Sequence, residues 1–160
     1  DEKTFKTAGA IGASGGYVFY DKGEFTDGWR YLEAAPFNLT YNGSDKIKWG
    51  CSFNIINQTQ SVMGSGPANT TRIISQCSDA NCAARLCANY TVNGIGNWFL
   101  PSEEELMAIH QKALDAGLES NLIIDSGKTE FHGVLTKTCL AIGPDYCEKI
   151  DPITSNLTLY

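Results

Sequence analysis

The sequence predicts a single α+β domain, and three observations carry that prediction. Two aromatic and β-branched runs, at 17–20 and 29–35, are each bounded by turn residues, as strands are. A Ser102-x-x-Glu105 box opens a run of apolar residues at helical spacing. The chain is 160 residues long and 42% hydrophobic, which suits one core.

Along the chain, residues 7–16 (TAGAIGASGG) are too rich in Gly and Ala for a stable element, so residues 1–15 are expected to form a flexible arm. The glycines there fit neither the dinucleotide nor the Walker spacing, and no strand precedes them. Tyr17-Val18-Phe19-Tyr20 and Trp29 to Ala35 predict a β-hairpin with a connection of five to eight residues. Lys46 to Cys51 alternates about Ile47 and Trp49 and predicts another short strand.

Asn69 or Thr70 is the expected N-cap of a helix over 69–90, interrupted around Ser78–Asn81. Trp98-Phe99-Leu100 predicts a short buried strand stopped by Pro101. Ser102 and Glu105 then make a capping box, with all three glutamates, Glu103 to Glu105, at the positive end of the helix dipole. Leu106, Ile109, His110, Ala113 and Leu114 share the face of a helix over 103–116, closed by Gly117. Capping accounts for these carboxylates better than catalysis, because adjacent helical positions point in different directions.

Eighteen acidic residues against twelve basic give a net charge of −6, which argues against a nucleic-acid partner. No apolar run is long enough to insert into a membrane. The six cysteines lack zinc spacing and predict disulfides in an oxidising, secreted or cell-surface location. The Gly143-Pro144-Asp145 turn favours pairing Cys139 with Cys147. Cys77 with Cys82 and Cys51 with Cys87 follow by remainder. Six N-x-S/T sequons, at Asn38, Asn42, Asn57, Asn69, Asn89 and Asn156, fit either a glycosylated exported protein or a chain rich in polar turn residues.

The chain has two histidines, His110 and His132, and no G-x-S-x-G elbow, so no catalytic residue is predicted. His110 reads as a half-buried helix residue. Asp125 with Asp145 or Asp151 would be the candidates for calcium, but EF-hand spacing is absent and no metal or cofactor is expected.

The strings GGYVFYDKG, YLEAAP, an AA-x-x-C helix and NWFLPSEEEL together resemble the C-terminal domain of the Legionella collagen-like adhesin and its bacterial relatives, over about residues 15 to 118. That resemblance implies a C-type-lectin-like fold of the formylglycine-generating-enzyme type, with short twisted antiparallel sheets and two main helices. It also implies a non-enzymatic, exported cell-adhesion module that binds a carbohydrate, a glycosaminoglycan included, or a host or neighbour-cell protein, with a homotrimer as one assembly. The family's closing strands are absent, and residues 119–155 read as a cysteine-bearing insertion. The ligand surface is expected on the segments 38–68 and 119–155, at Tyr41, Lys46, Lys48, Lys128, His132 and Lys137. The rival readings are a formylglycine-generating-like oxidase and a structural trimerisation domain of a fibrous surface protein.

Overall fold

The aromatic runs pair as expected. In the computed structural model, which describes residues 10–35, 39–44, 47–51, 56–126 and 133–142, β1 (Tyr17–Thr26) and β2 (Trp29–Ala34) form an antiparallel hairpin. The connection is shorter than the sequence suggested. Asp27 and Gly28, both at positive φ (52° and 83°), make a two-residue turn whose twist matches the strands. At the other end the glycine-rich segment folds back on β2, where the Ser14 and Gly16 amides each donate to the Glu33 carboxylate at 3.1 Å. This loop holds one of the chain's own carboxylates.

The helix expected over 69–90 is two helices. α1 spans Gly66–Gln76 and α2 spans Ala83–Asn89. The first starts three residues early because Pro67, pre-set for a helical first turn, opens it after Ser65. Asn69 and Thr70 therefore lie inside the helix and are buried. Asn69 exchanges hydrogen bonds with the Gln60 backbone, and Thr70 Oγ1 accepts from the Leu100 amide at 2.9 Å. Between the helices Arg85 reaches back to the carbonyls of Ile74 and Cys77, at 3.2 and 2.6 Å, satisfying acceptors at the end of α1.

Of the strand expected from Lys46 to Cys51, the described residues 47–51 show one parallel bridge, Lys48 to Cys82. Trp98–Leu100 is assigned to no strand; Trp98 packs edge-on against Tyr90 with ring centroids 5.6 Å apart.

α3 (Glu103–Asp115) forms as its capping box dictates. The Ser102 amide donates to Glu105 Oε2 at 2.6 Å, and the Glu105 amide returns to Ser102 Oγ at 3.4 Å. Gly117, at φ 74°, ends the helix. Residues 119–155, expected as an insertion, contain β3 (Ser120–Asp125) and β4 (Thr136–Ile142), an antiparallel pair that packs on α3. Among the described residues the architecture is α+β, with three helices and two two-stranded sheets.

One core cluster gathers Ile73, Cys77, Cys82 and Ala84, with Trp49, Cys51, Ile56, Ile74 and Leu100 packed against it. Its cysteine pairing corrects the expectation. Cys51 is bonded to Cys77, while Cys82 and Cys87 are thiols. Sequence order offered no way to see this, because the pairing depends on the segment around Trp49 lying against the end of α1. The pairing of Cys139 with Cys147 lies outside the described residues. No helix among the described residues is long and apolar enough to cross a membrane.

Candidate functional site

The three glutamates at the start of α3 each take a different partner. Glu105, with no exposed surface, accepts from the amides of Ser102 and Gly64, the latter at 3.0 Å. Glu104 accepts from the Met63 amide at 2.8 Å. Ser102 Oγ donates to the Val62 carbonyl at 3.0 Å, so the whole first turn is stitched to the loop before α1. Glu103 alone points the other way, where Lys137 of β4 donates to its Oε1 at 2.9 Å. Among the described residues no three His, Cys, Asp or Glu side chains converge as a metal site would require.

Lys137 places the hairpin on α3. Its β-partner is Ile124, next to the pair Asp125 and Thr136 that ends the ladder. At the opposite end of the sheet, His110 Nδ1 lies 2.7 Å from Ser120 Oγ. Two side-chain contacts, Lys137 to Glu103 and Ser120 to His110, thus run β3 antiparallel to α3 and β4 parallel to it. Leu140, 8% exposed, and its half-buried partner Leu122 lie between these contacts. The result is a hairpin seated on a helix, with Asp125, Thr136, Lys137 and Glu103 gathered at its open end. The same end exposes Ile124, Val134 and Leu135.

The residues expected to bind ligand are dispersed. Tyr41 is in a tight turn that exchanges backbone hydrogen bonds with Ser44. Lys48 is ion-paired to Asp79 at 2.7 Å beside α2, which holds the Asp79 carboxyl below its ordinary value and raises the Lys48 ammonium above its own. Lys137 is on the hairpin. Lys46, Lys128 and His132 lie outside the described residues, although Lys128 and His132 belong in sequence to the β3–β4 connection. His110, expected to be half-buried, is so, and it is held by Ser120.

Sequence spacing missed Glu103 as the partner of Lys137 and Thr136 as the partner of Asp125. A separation of 34 residues between Glu103 and Lys137 carries no local signal. Asp125 was weighed only for calcium; its candidate partners Asp145 and Asp151 are outside the described residues.

This helix-and-hairpin unit lies wholly within a stretch that matches a known protein family. The family model for peptidyl-tRNA hydrolase PTH2 matches residues 67–160, more than half of the chain. The chain belongs to that family. Among curated relatives, it is similar to the peptidyl-tRNA hydrolase of Methanopyrus kandleri, 32% identical over 108 residues, covering 61% of this chain and 92% of the relative. It is also 49% identical over 59 residues to the peptidyl-tRNA hydrolase of Nanoarchaeum equitans, covering 37% of this chain and 50% of the relative. The Methanothermobacter thermautotrophicus protein of the same name is 45% identical over 58 residues, 36% of this chain and 51% of the relative. The chain thus spans about half the length of the Nanoarchaeum and Methanothermobacter relatives. No solved structure matches it.

Membership of the PTH2 family overturns the adhesin resemblance and the activity, partners and location drawn from it. That resemblance drew on residues 15 to 118 and treated 119–155 as an insertion, whereas the family match runs through to residue 160. The family is one of hydrolases, which corrects the expectation of a non-enzymatic binding module, together with its oxidase and trimerisation rivals. The absence of a serine elbow excluded only one route to hydrolysis; a water activated by a positioned acid or base needs no such motif.

The exclusion of nucleic acid fails too, since relatives named for peptidyl-tRNA act on an RNA-linked substrate. It rested on net charge, an average that says nothing of where the charges lie on the surface. The glycan or host-protein partner and the carbohydrate-binding, cell-adhesion role go with it. The secreted or cell-surface location is likewise corrected. It rested on the adhesin resemblance and on reading the six cysteines as disulfides, and the match to the PTH2 family and its peptidyl-tRNA hydrolase relatives overturns it.

Proposed function

We propose that the chain is a peptidyl-tRNA hydrolase that cleaves the ester between the peptide carboxyl group and the tRNA ribose, working at the open end of the β3–β4 hairpin. The observation that carries this reading is the PTH2 family match over residues 67–160, which contains the whole hairpin and the helix beneath it.

The chemistry of that end suits the reaction. Ester hydrolysis needs a group to take a proton from water and a positive or donor group near the oxygen that gains charge. Asp125 is a carboxylate for the first role, and the hydroxyl of Thr136, its partner on the same rung, is a donor for the second; Lys137, one rung away, faces the other side of the ladder, toward α3, as a candidate phosphate contact. Glu103 accepts from the Lys137 ammonium at 2.9 Å, holding it beside α3 while the Lys137 side chain stays 34% exposed. Lys128 and His132, in the connection between the strands, are the sequence-based candidates for contacting tRNA phosphate.

The test is the purified chain with an N-acylated aminoacyl-tRNA, following release of the N-acyl amino acid. Release above the enzyme-free rate, lost in Asp125→Asn, is expected. No release under conditions in which a full-length archaeal relative is active would sink the proposal.

A further inference from the structure

The two faces of the β3–β4 hairpin meet different surroundings. Alternation along β3 sends Ser120, Leu122 and Ile124 to the α3 side and Asn121, Ile123 and Asp125 to the other. Contacts fix the first set, because Ser120 Oγ lies 2.7 Å from His110 Nδ1 and Leu122 pairs with the buried Leu140. Thr138 is the extra residue of β4 between the Ile123–Cys139 and Ile124–Lys137 pairs, so the bulge leaves the alternation of β3 intact. Ile123, 49% exposed, therefore shares the outer face with Asp125, two residues away.

We propose that Ile123 is a specificity contact for the amino acid esterified to tRNA, favouring substrates in which that residue carries an apolar side chain. The inference rests on the hydrolase reading above, with the scissile carbonyl at the Asp125–Thr136 rung.

The reach is adequate. Same-face neighbours on a strand are about 7 Å apart. The side chain of the esterified residue leaves from the carbon bonded to the scissile carbonyl, and a leucine-sized group extends roughly 4–5 Å from that carbonyl. It can therefore lie against Ile123, whereas a glycine cannot.

Charge decides which half of the substrate occupies this face. Among the described residues it holds Asn121, Ile123, Asp125, Thr136 and Ala141, with no lysine or arginine to neutralise a phosphate. Lys137 faces the α3 side. The polyanionic half is drawn there, and the acyl half is left with the apolar side chain.

The experiment uses the full chain and one tRNA carrying either N-acetyl-leucine or N-acetyl-glycine, with kcat/KM measured for each. An enclosed pocket discriminates one methylene by about tenfold or more, so an open face is expected to favour leucine over glycine by about three- to tenfold. In Ile123→Ser the ratio should fall towards one. A merely damaged fold lowers both values together and leaves the ratio as it was. Ile123→Thr, which keeps the branched shape suited to a strand, reads the same ratio if the serine variant does not fold. Equal values for the two substrates in the parent, or a ratio unmoved by either substitution, overturns the proposal while the hydrolase reading stands. Release from neither substrate sinks that reading and the specificity contact with it. A second copy seated on this face would instead appear in sedimentation as a dimer that Ile123→Ser dissociates with the ratio unchanged, and that outcome also overturns the proposal.

Discussion

Glu105 and Ser102 satisfy each other's backbone at the start of α3, with 2.6 Å from the Ser102 amide to the Glu105 carboxylate and 3.4 Å from the Glu105 amide to the Ser102 hydroxyl. The second carboxylate oxygen takes the Gly64 amide. Glu105→Ala removes the acceptor for two amides at once, and each buried donor left unsatisfied costs about 1–3 kcal/mol. A loss of about 3 kcal/mol is expected from urea unfolding. Glu105→Gln, which keeps one carbonyl acceptor, should lose less. Equal losses for the two variants would contradict this account.

Gly66 lies where no side chain fits. A Cβ there would come within 2.4 Å of the Phe99 ring and 2.5 Å of the Glu105 carboxylate, both held in place by packing or hydrogen bonds. Gly66→Ala is expected to destabilise by about 1–3 kcal/mol through overpacking, despite alanine's better helix propensity. Gly94→Ala, with open space around the site but φ at 78°, makes a useful contrast, because only backbone strain acts there. Thermal melts of the two variants separate the effects.

Acid should weaken two ion pairs. The hydrogen bond from Arg30 holds the Asp21 carboxyl below its ordinary value, and that from Lys48 does the same for Asp79. A folded-state value below the unfolded one adds stability that is present above the unfolded value and is lost as pH falls through the folded one. The window therefore lies below about pH 4. Lys48, raised by Asp79, has the opposite sign: its contribution is full below the ordinary lysine value and fades only in strong alkali. Asp79→Asn should flatten part of the acid limb of the stability–pH curve; an unchanged limb would show that the pair is ineffective.

Reducing or removing the Cys51–Cys77 bond frees a loop with a sequence separation of 26. On the chain-entropy estimate that costs about 3.5 kcal/mol. The double variant Cys51→Ser with Cys77→Ser, compared with the parent by chemical denaturation, checks the figure. A change under ~1 kcal/mol would show that the reduced unfolded chain is already compact here.

On the proposed hydrolase reading, Lys137→Ala should weaken tRNA binding and flatten its salt dependence by about one unit of log–log slope, as expected for one phosphate contact. Stability should change by less than about 1 kcal/mol, since the pair with Glu103 is partly exposed. Titrations at several salt concentrations measure both slopes. Identical slopes would remove Lys137 from the RNA surface.

Elements set by neighbours in sequence were legible. The aromatic runs of β1 and β2 and the capping box of α3 depend on residues within a few positions of one another. So does the assignment of Glu103 to Glu105 to a helix start. Boundaries shifted where a distant contact competed. Asn69, a plausible cap, is instead consumed by Gln60 across a turn, and Pro67 moved the helix start forward. The site was largely illegible. Lys137 was among the residues expected to bind ligand, but its partner Glu103 and the adjacent Asp125–Thr136 pair come together only when β4 docks on α3. The nucleic-acid exclusion failed for the same reason, since a net charge contains no positions.

By itself the sequence determined the local grammar: where chain reversals fall, which carboxylates begin a helix, and which runs are apolar enough to bury. These follow from backbone sterics and short-range hydrogen bonds, which need only nearby residues. Tertiary structure alone decided that Cys51 meets Cys77, that Glu105 reaches Gly64, and that Lys137 is held over α3. Such contacts join positions tens of residues apart, and their geometry exists only after the hydrophobic core has brought the segments together.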